Sequence, residues 1–408
     1  MRILLVTSMP PQPEAPGAIP LVLYAQLIGL RERHDVTLLT PIGPDESEVA
    51  AIADLRAAGI EVHSAELMPM ATRARWLRRW RLAHDWLIGG VPWRTAWFRA
   101  PGIQSHLDRL LATEAFDLVQ VEDNAMGVYR YPTQIPKVLA EHEVRRPRGL
   151  AWHDLSTMPW SQWALRETDW QRWRRYQSTV WSRFDRVQVF TQRDAASVQA
   201  ISPVLAPRVR VNPFGVALPQ PADPLREEAG TLLFVGNYTH PPNVDAALWL
   251  GAEIMPILRA RHPGVRLWIV GIDPPEAVRA LVAEDIVVTG RVPTIEPYLS
   301  RAAVVLAPIR IGGGMRMKVL HAMALGKAVV TTPRGAEGLA DVGHKPPLRI
   351  AGDAESFASE TAALLQSIPA RQQLGQAARA FVAEHYSPAA YVRRLEMIYA
   401  ELCEGRGG

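Results

Sequence analysis

The feature that most limits how this chain can fold is a grammar used twice. Short apolar, β-branched runs are each followed by a loop and then an amphipathic helical stretch. In the first half the runs are "RILLVTS" (2–8), "HDVTLLTP" (34–41), "FDLVQVED" (116–123), "PKVLAEHE" (136–143) and "FDRVQVFT" (184–191). The pattern restarts with "GTLLFVGN" (230–237), "VRLWIVG" (265–271), "IVVTG" (286–290), "AAVVLAPI" (302–309) and "KAVVTT" (327–332). Such runs, spaced by helices, predict parallel strands buried on both faces. The expected class is α/β, with two doubly wound sheets.

Between the halves lies "NPFGVALPQPADPLREEAG" (212–230), which is proline-rich and has no helical period. It reads as a hinge linker. The expected organisation is a domain over 1–212, a second over 213–385, and a closing helix within 386–408. That helix carries Tyr391, Leu395, Ile398 and Leu402 on one stripe, which needs a partner, expected on the first domain. Doubly wound sheets bind ligands at the carboxyl ends of their strands. Two such domains are expected to face each other across a cleft that closes about the hinge.

Several function classes are disfavoured. No run approaches the roughly 18 apolar residues needed to span a bilayer. The N-terminus reads as a buried strand and not as a signal peptide. A single cysteine, Cys403, allows no internal disulfide and fits a reducing cytoplasm. The first strand is followed by "MPPQPEAPGA", without a dinucleotide fingerprint, and no P-loop spacing occurs. His84, His142, His153 and His240 are scattered, and no Asp-x-Asp offers a metal clamp, so no metal is expected. No Ser-His-Asp or Cys-His signature stands out.

The charge is uneven. The net +4 lies entirely in residues 1–212, which also hold 11 of the 13 tryptophans. Residues 71–99 combine seven Arg with five Trp, with Trp76, Trp80 and Leu87 on one helical face. This stretch, 73–99 in particular, reads either as an interfacial segment for an anionic membrane or as a set of solvated faces. Nucleic acid is not expected as a partner. The tryptophans from Trp152 to Trp181 read as an acceptor groove or as core.

The candidate chemistry sits in "RIGGGMRMKVLHAMALGKAVV" (310–330). A Gly-rich loop between a parallel strand and a helix presents bare N–H groups at a helix N-terminus, an anion site. Arg316 and Lys318 oppose the helix dipole and are poor choices for stability alone. They make sense if an anion binds, since Arg forks two phosphate oxygens and Lys adds a point charge. The plainer reading is an ordinary loop with two solvated cations.

With these residues in view, the chain resembles the large family four of retaining glycosyltransferases, which has the GT-B fold of two facing Rossmann-like domains. The matching stretches are "LAEHEVRRPR", "FTQRDAASV", "VRVNPFGVAL", "LLFVGNYTHPPNVDAALWL", "VVTGRVPTIEPYLSRAAVVLAPI", "GGGMRMKVLHAMALGKAVVTT" and "RGAEGL". They cover nearly the whole length, and the subgroup resembled serves bacterial exopolysaccharide and envelope-glycan pathways. The resemblance implies a nucleotide-sugar donor such as a UDP- or GDP-sugar, no cofactor, and a glycan, lipid-linked or small-molecule acceptor. It implies a cytoplasmic protein, peripheral on the inner face of the plasma membrane if the basic segment binds lipid.

Residue by residue, the resemblance assigns Gly312, Gly313, Gly314, Met315, Arg316 and Lys318 to the diphosphate and ribose. Gly290, Arg291 and Val292 match the loop that frames the nucleobase, and Gly236 and Asn237 match the loop after the second domain's first strand. Gly17 matches a first-domain glycine near the diphosphate. His142 matches a histidine facing the donor sugar, although a structural role for it is open. Two family glutamates are replaced by Gly313 and His321. A neutral imidazole can still bond a ribose hydroxyl. Glu337 contacts the sugar or ribose, or caps a helix. The catalytic set is then His142, Arg316 and Lys318. Three alternatives remain open: a nucleotide-sugar 2-epimerase, a glycan phosphorylase, for which the four lysines offer no fitting context, and a non-catalytic paralogue that binds a partner glycosyltransferase.

Overall fold

The computed structural model describes residues 1–14, 18–67, 74–132, 134–142, 144, 160–223 and 226–404. The chain divides into two compact units, Met1–Phe214 with Tyr391–Gly408, and Gly215–Ala390.

The first unit holds a seven-stranded sheet. Its strands are β1 (Arg2–Val6), β2 (Asp35–Ile42), β3 (Glu61–Glu66), β4 (Leu118–Glu122), β5 (Lys137–Glu141), β6 (Arg186–Val189) and β7 (Val209–Val211). Their order is β3-β2-β1-β4-β5-β6-β7, with every pairing parallel. The apolar runs of the sequence became the central strands because each is covered on both faces: β4 and β5 are buried at every position. β3, "EVHSAE", has no such run and was not legible as a strand; it sits at the sheet edge, paired only with β2. The core is built from Leu4, Val6, Leu39, Val119, Leu139, Val187 and Trp181, among others.

The second unit holds a six-stranded sheet of β8 (Thr231–Val235), β9 (Arg266–Val270), β10 (Ile286–Gly290), β11 (Val304–Ala307), β12 (Val329–Thr331) and β13 (Arg349–Ile350). The order is β10-β9-β8-β11-β12-β13, again parallel throughout. Leu232, Phe234, Ile269, Leu306, Val330 and Phe357 anchor its core. Both sheets reverse strand order once, at β1/β4 and at β8/β11, and such a switch point opens a crevice at the carboxyl ends of the strands.

The helix Pro388–Glu404 buries Tyr391, Leu395, Ile398, Tyr399 and Leu402. Its part from Tyr391 onward groups with the first unit, where the Tyr399 hydroxyl donates to Gln120 Oε1 at 3.1 Å. Trp173 and Trp181, in the helix Trp160–Ser182, are core residues at 1 % and 0 % exposure, so these two do not line a groove. Trp152 lies outside the described residues. Among the described residues, no helix is long and apolar enough to cross a membrane.

Candidate functional site

In the second unit the switch point is flanked by two loops, one after β8 and one after β11. The β11 loop leads into the helix Met317–Ala324, whose first turn holds Lys318 and whose N-cap residue is Arg316. Gly312 and Gly314 have φ of 99° and 80°, values that a residue with a Cβ rarely adopts. The loop is pinned from outside by Arg310, which the sequence reading had left aside. Its guanidinium donates twice to Asp245, at 2.7 and 3.1 Å, and stacks 4.8 Å over Trp249. Both partners stand on the helix Pro241–Trp249, which follows the β8 loop.

Lys318 ties the two loops together. Its Nζ donates to Asn243 Oδ1 at 2.5 Å and lies 4.7 Å from the Phe234 ring centroid. Asn243 Nδ2 in turn donates to the Asn237 carbonyl at 2.6 Å. Asn237 Oδ1 accepts from the Thr239 N–H and hydroxyl, so its side chain holds the loop and is not directed outward alone. Burial, reinforced by the Arg316 charge, pushes the Lys318 ammonium down to about 7. A neutral amide carbonyl is a weak partner for a full charge.

Gly236 and Gly290 line up beside Gly271. The Gly236 N–H donates to Val270 O and the Gly271 N–H to Gly290 O, at 2.9 and 3.3 Å. A Cβ on Gly271 would come within 1.6 Å of the Gly236 carbonyl oxygen, so only glycine allows the two loops to touch. Beside Gly290, Arg291 is exposed and Val292 half-buried.

A small pocket runs below, lined by Val235, Ile295, Leu299, Ala307, Lys318 and His321, among others. His321 points into it. Burial holds the imidazole below its ordinary range, while Glu296, 3.8 Å away, works the other way. Burial therefore favours the neutral imidazole. Gly313 is exposed, and Met315 is half-buried in the same loop. Glu337 follows β12 in a run of turns, where it pairs with Arg334 at 3.1 and 3.2 Å.

In the first unit, Gly17 lies outside the described residues. His142 follows β5, and its Nε2 lies 2.8 Å from Glu122 Oε2 at the end of β4. Both side chains are nearly buried, at 5 % and 1 % exposure. The ring meets Phe190 edge-on at 5.1 Å. Glu122 Oε1 accepts from Gln26 Nε2 at 2.7 Å and from Gln120 Nε2 at 2.8 Å. Glu141 is satisfied separately by Asn124 and by Trp181 Nε1 at 2.7 Å. The sequence reading missed Glu122 and its amides. The available signal was the placement of Gln120 and Glu122 two apart in a strand otherwise buried throughout.

One further group has metal-ligand chemistry among the described residues: Glu61, His63 and Glu114 come within 4.8 Å of one another. It lies toward the opposite, amino-terminal edge of the first sheet, where Arg2 already pairs with Glu114 at 2.6 Å.

The basic, aromatic segment forms the helix Ala74–Leu87 and continues to Trp97. It packs through Leu82, Asp85 and Trp86; the Trp86 ring lies 4.0 Å from the Arg172 guanidinium. Trp80, Leu87, Ile88, Trp93 and Trp97 remain exposed, between 41 % and 77 %. Residue 73 and the side chain of Trp76 lie outside what is described.

Comparison with known proteins agrees with this architecture. Residues 229–367 match the family model described as Glycosyl transferases group 1. A Klebsiella pneumoniae protein of the cps region, described only as an uncharacterised 44.6 kDa protein, is 25 % identical over 164 residues, or 38 % of this chain and 42 % of the relative. Among solved structures, HepE of Anabaena in complex with UDP and glucose superposes with a TM-score of 0.66 at 13 % identity, covering 98 % of this chain and all of that one. Sucrose-phosphate synthase of Thermosynechococcus elongatus gives 0.66 at 15 % identity, covering 99 % and 100 %. WaaG, a glycosyltransferase involved in lipopolysaccharide biosynthesis, gives 0.59 at 15 %, covering 97 % and 99 %. The fold is GT-B.

Proposed function

We propose that the chain is a glycosyltransferase that moves a sugar from a UDP- or GDP-sugar to a hydroxyl of a glycan, lipid-linked or small-molecule acceptor. In this reading it does so with retention of anomeric configuration and without a metal ion. The observation that supports the reading is the cradle at the second switch point: the Gly312–Gly314 backbone, Arg316, and a lysine that donates to the neutral amide of Asn243. The matched family region spans this cradle.

The chemistry follows from where charge develops. The bond between the anomeric carbon and the diphosphate oxygen breaks, and the acceptor oxygen bonds to that carbon. The acceptor proton passes to the departing phosphate. Negative charge grows on the diphosphate, and fixed donors already aimed at it lower the barrier. His142 serves the reacting sugar from the first unit. Gly290, Arg291 and Val292 frame the base, and His321 bonds the ribose. The cps-region relative favours a capsule or envelope glycan as product. The exposed tryptophans and arginines of residues 73–99 dock the enzyme on anionic lipid at the cytoplasmic face.

A second reading has one specific support. His321 and Gly313 stand where two family glutamates are expected, which suits a binding paralogue without turnover. A panel of UDP-, GDP- and dTDP-sugars, assayed for transfer and for donor hydrolysis, separates the two. Transfer that Arg316→Ala abolishes supports the enzyme. Donor binding without turnover across the panel supports the paralogue. Activity untouched by Arg316→Ala rejects the diphosphate site.

A further inference from the structure

The donor pattern around Glu122 follows from the hydrogen bonds of the side chains around it. Gln188 Nε2 donates to the Tyr391 hydroxyl at 3.0 Å, so that hydroxyl turns its single proton to Gln26 Oε1, 3.3 Å away. The Tyr399 hydroxyl donates to Gln120 Oε1 at 3.1 Å. With both amide oxygens occupied, the two NH2 groups face Glu122 and both donate to its Oε1. Burial, with the Glu122 charge contributing, pushes both phenols well up from their ordinary range, so they remain proton donors. Glu122 thus receives two amide protons on one oxygen inside a buried site. Its remaining oxygen can only accept. His142 Nε2 must then carry the proton, and among the described residues Nδ1 has no partner.

We propose that Glu122 is the positioning residue of His142. It fixes the imidazole with Nε2–H toward the sheet and Nδ1 as the lone pair offered to the ligand. Tyr391 and Tyr399, from the helix Pro388–Glu404, lock the two amides that donate to Glu122. This assignment of Nδ1 to the substrate rests on the glycosyl-transfer reading; the tautomer itself does not.

The test is nitrogen NMR of histidine-labelled protein, with His142 assigned by loss of its signals in His142→Gln. Neutral wild-type His142 is expected as the Nε2–H tautomer. In Glu122→Gln the new amide keeps its oxygen on Gln26 and Gln120 and turns its NH2 to His142, so the tautomer is expected to flip to Nδ1–H. Transfer turnover is expected to fall at least about 10-fold, with donor KM changing less than about 3-fold. An Nδ1–H wild type overturns the proposal, even if Glu122→Gln does not fold. A flipped tautomer with unchanged turnover overturns the catalytic use of Nδ1. An Nε2–H wild type without transfer activity leaves the positioning intact and rejects the functional reading instead.

Discussion

Lys318 Nζ sits 2.5 Å from Asn243 Oδ1, so the helices Met317–Ala324 and Pro241–Trp249 share one hydrogen bond at the point where the second sheet reverses. The lysine is held near pH 7 by burial and by Arg316, well below an ordinary ammonium. A bound diphosphate supplies the missing countercharge and raises it again. Binding of UDP is therefore expected to take up a proton above pH 7. Affinity should fall as pH rises from 7 to 9, by up to about 10-fold per unit. Calorimetry in buffers of different ionisation enthalpy measures the uptake; a flat profile contradicts it.

The same group links pH to folding. Its folded value is depressed, so between about 7 and the ordinary lysine range the unfolded chain binds the extra proton. Stability from this group rises with pH over that window and is level below it. Lys318→Met should flatten the rise in denaturant midpoint between pH 7 and 9.5.

His321, whose neutral form burial favours, lines the pocket beside Lys318. An uncharged donor and acceptor is what the position supplies. His321→Gln is expected to keep UDP affinity within about 3-fold, and His321→Ala to lose about 5- to 10-fold. Equal losses in the two variants would show that ring packing, and not hydrogen bonding, is used.

Trp181 places its indole N–H on Glu141 inside the first core. Trp181→Phe removes that donor, while the Asn124 amide still donates to the carboxylate. A loss of about 1–3 kcal/mol in denaturant unfolding is expected.

Exposed Trp80 and Leu87 flank a basic helix. Flotation with anionic vesicles at low salt should recover the protein, and Trp80→Ala with Leu87→Ala should reduce recovery several-fold. Absence of binding by the unaltered chain rejects the lipid surface.

The strands of both sheets were legible because a strand covered on both faces must be apolar along its length. β3, the three-residue β7 and the two-residue, exposed β13 lacked that pressure and were not read as strands. The candidate loop stood out in the sequence because glycines and cations at a helix start conflict with stability. Arg310 was not, since its partner Asp245 stands 65 positions away. The network on Glu122 was hidden for the same reason: Tyr391 meets Gln26 across 365 positions and Tyr399 meets Gln120 across 279. A buried glutamine in a strand reads in sequence as an outward-facing one until its partner is known.

The return of Tyr391 and Tyr399 to the first unit also orders events in time. Chains emerge from the ribosome from the N-terminal end and tend to fold domain by domain. Gln26, Gln120 and Glu122 are made early, yet their two clamps follow only after the whole of Gly215–Ala390 has been synthesised. Until residues 391 and 399 are made, Gln26 and Gln120 lack the tyrosine hydroxyls that hold their oxygens in the finished fold.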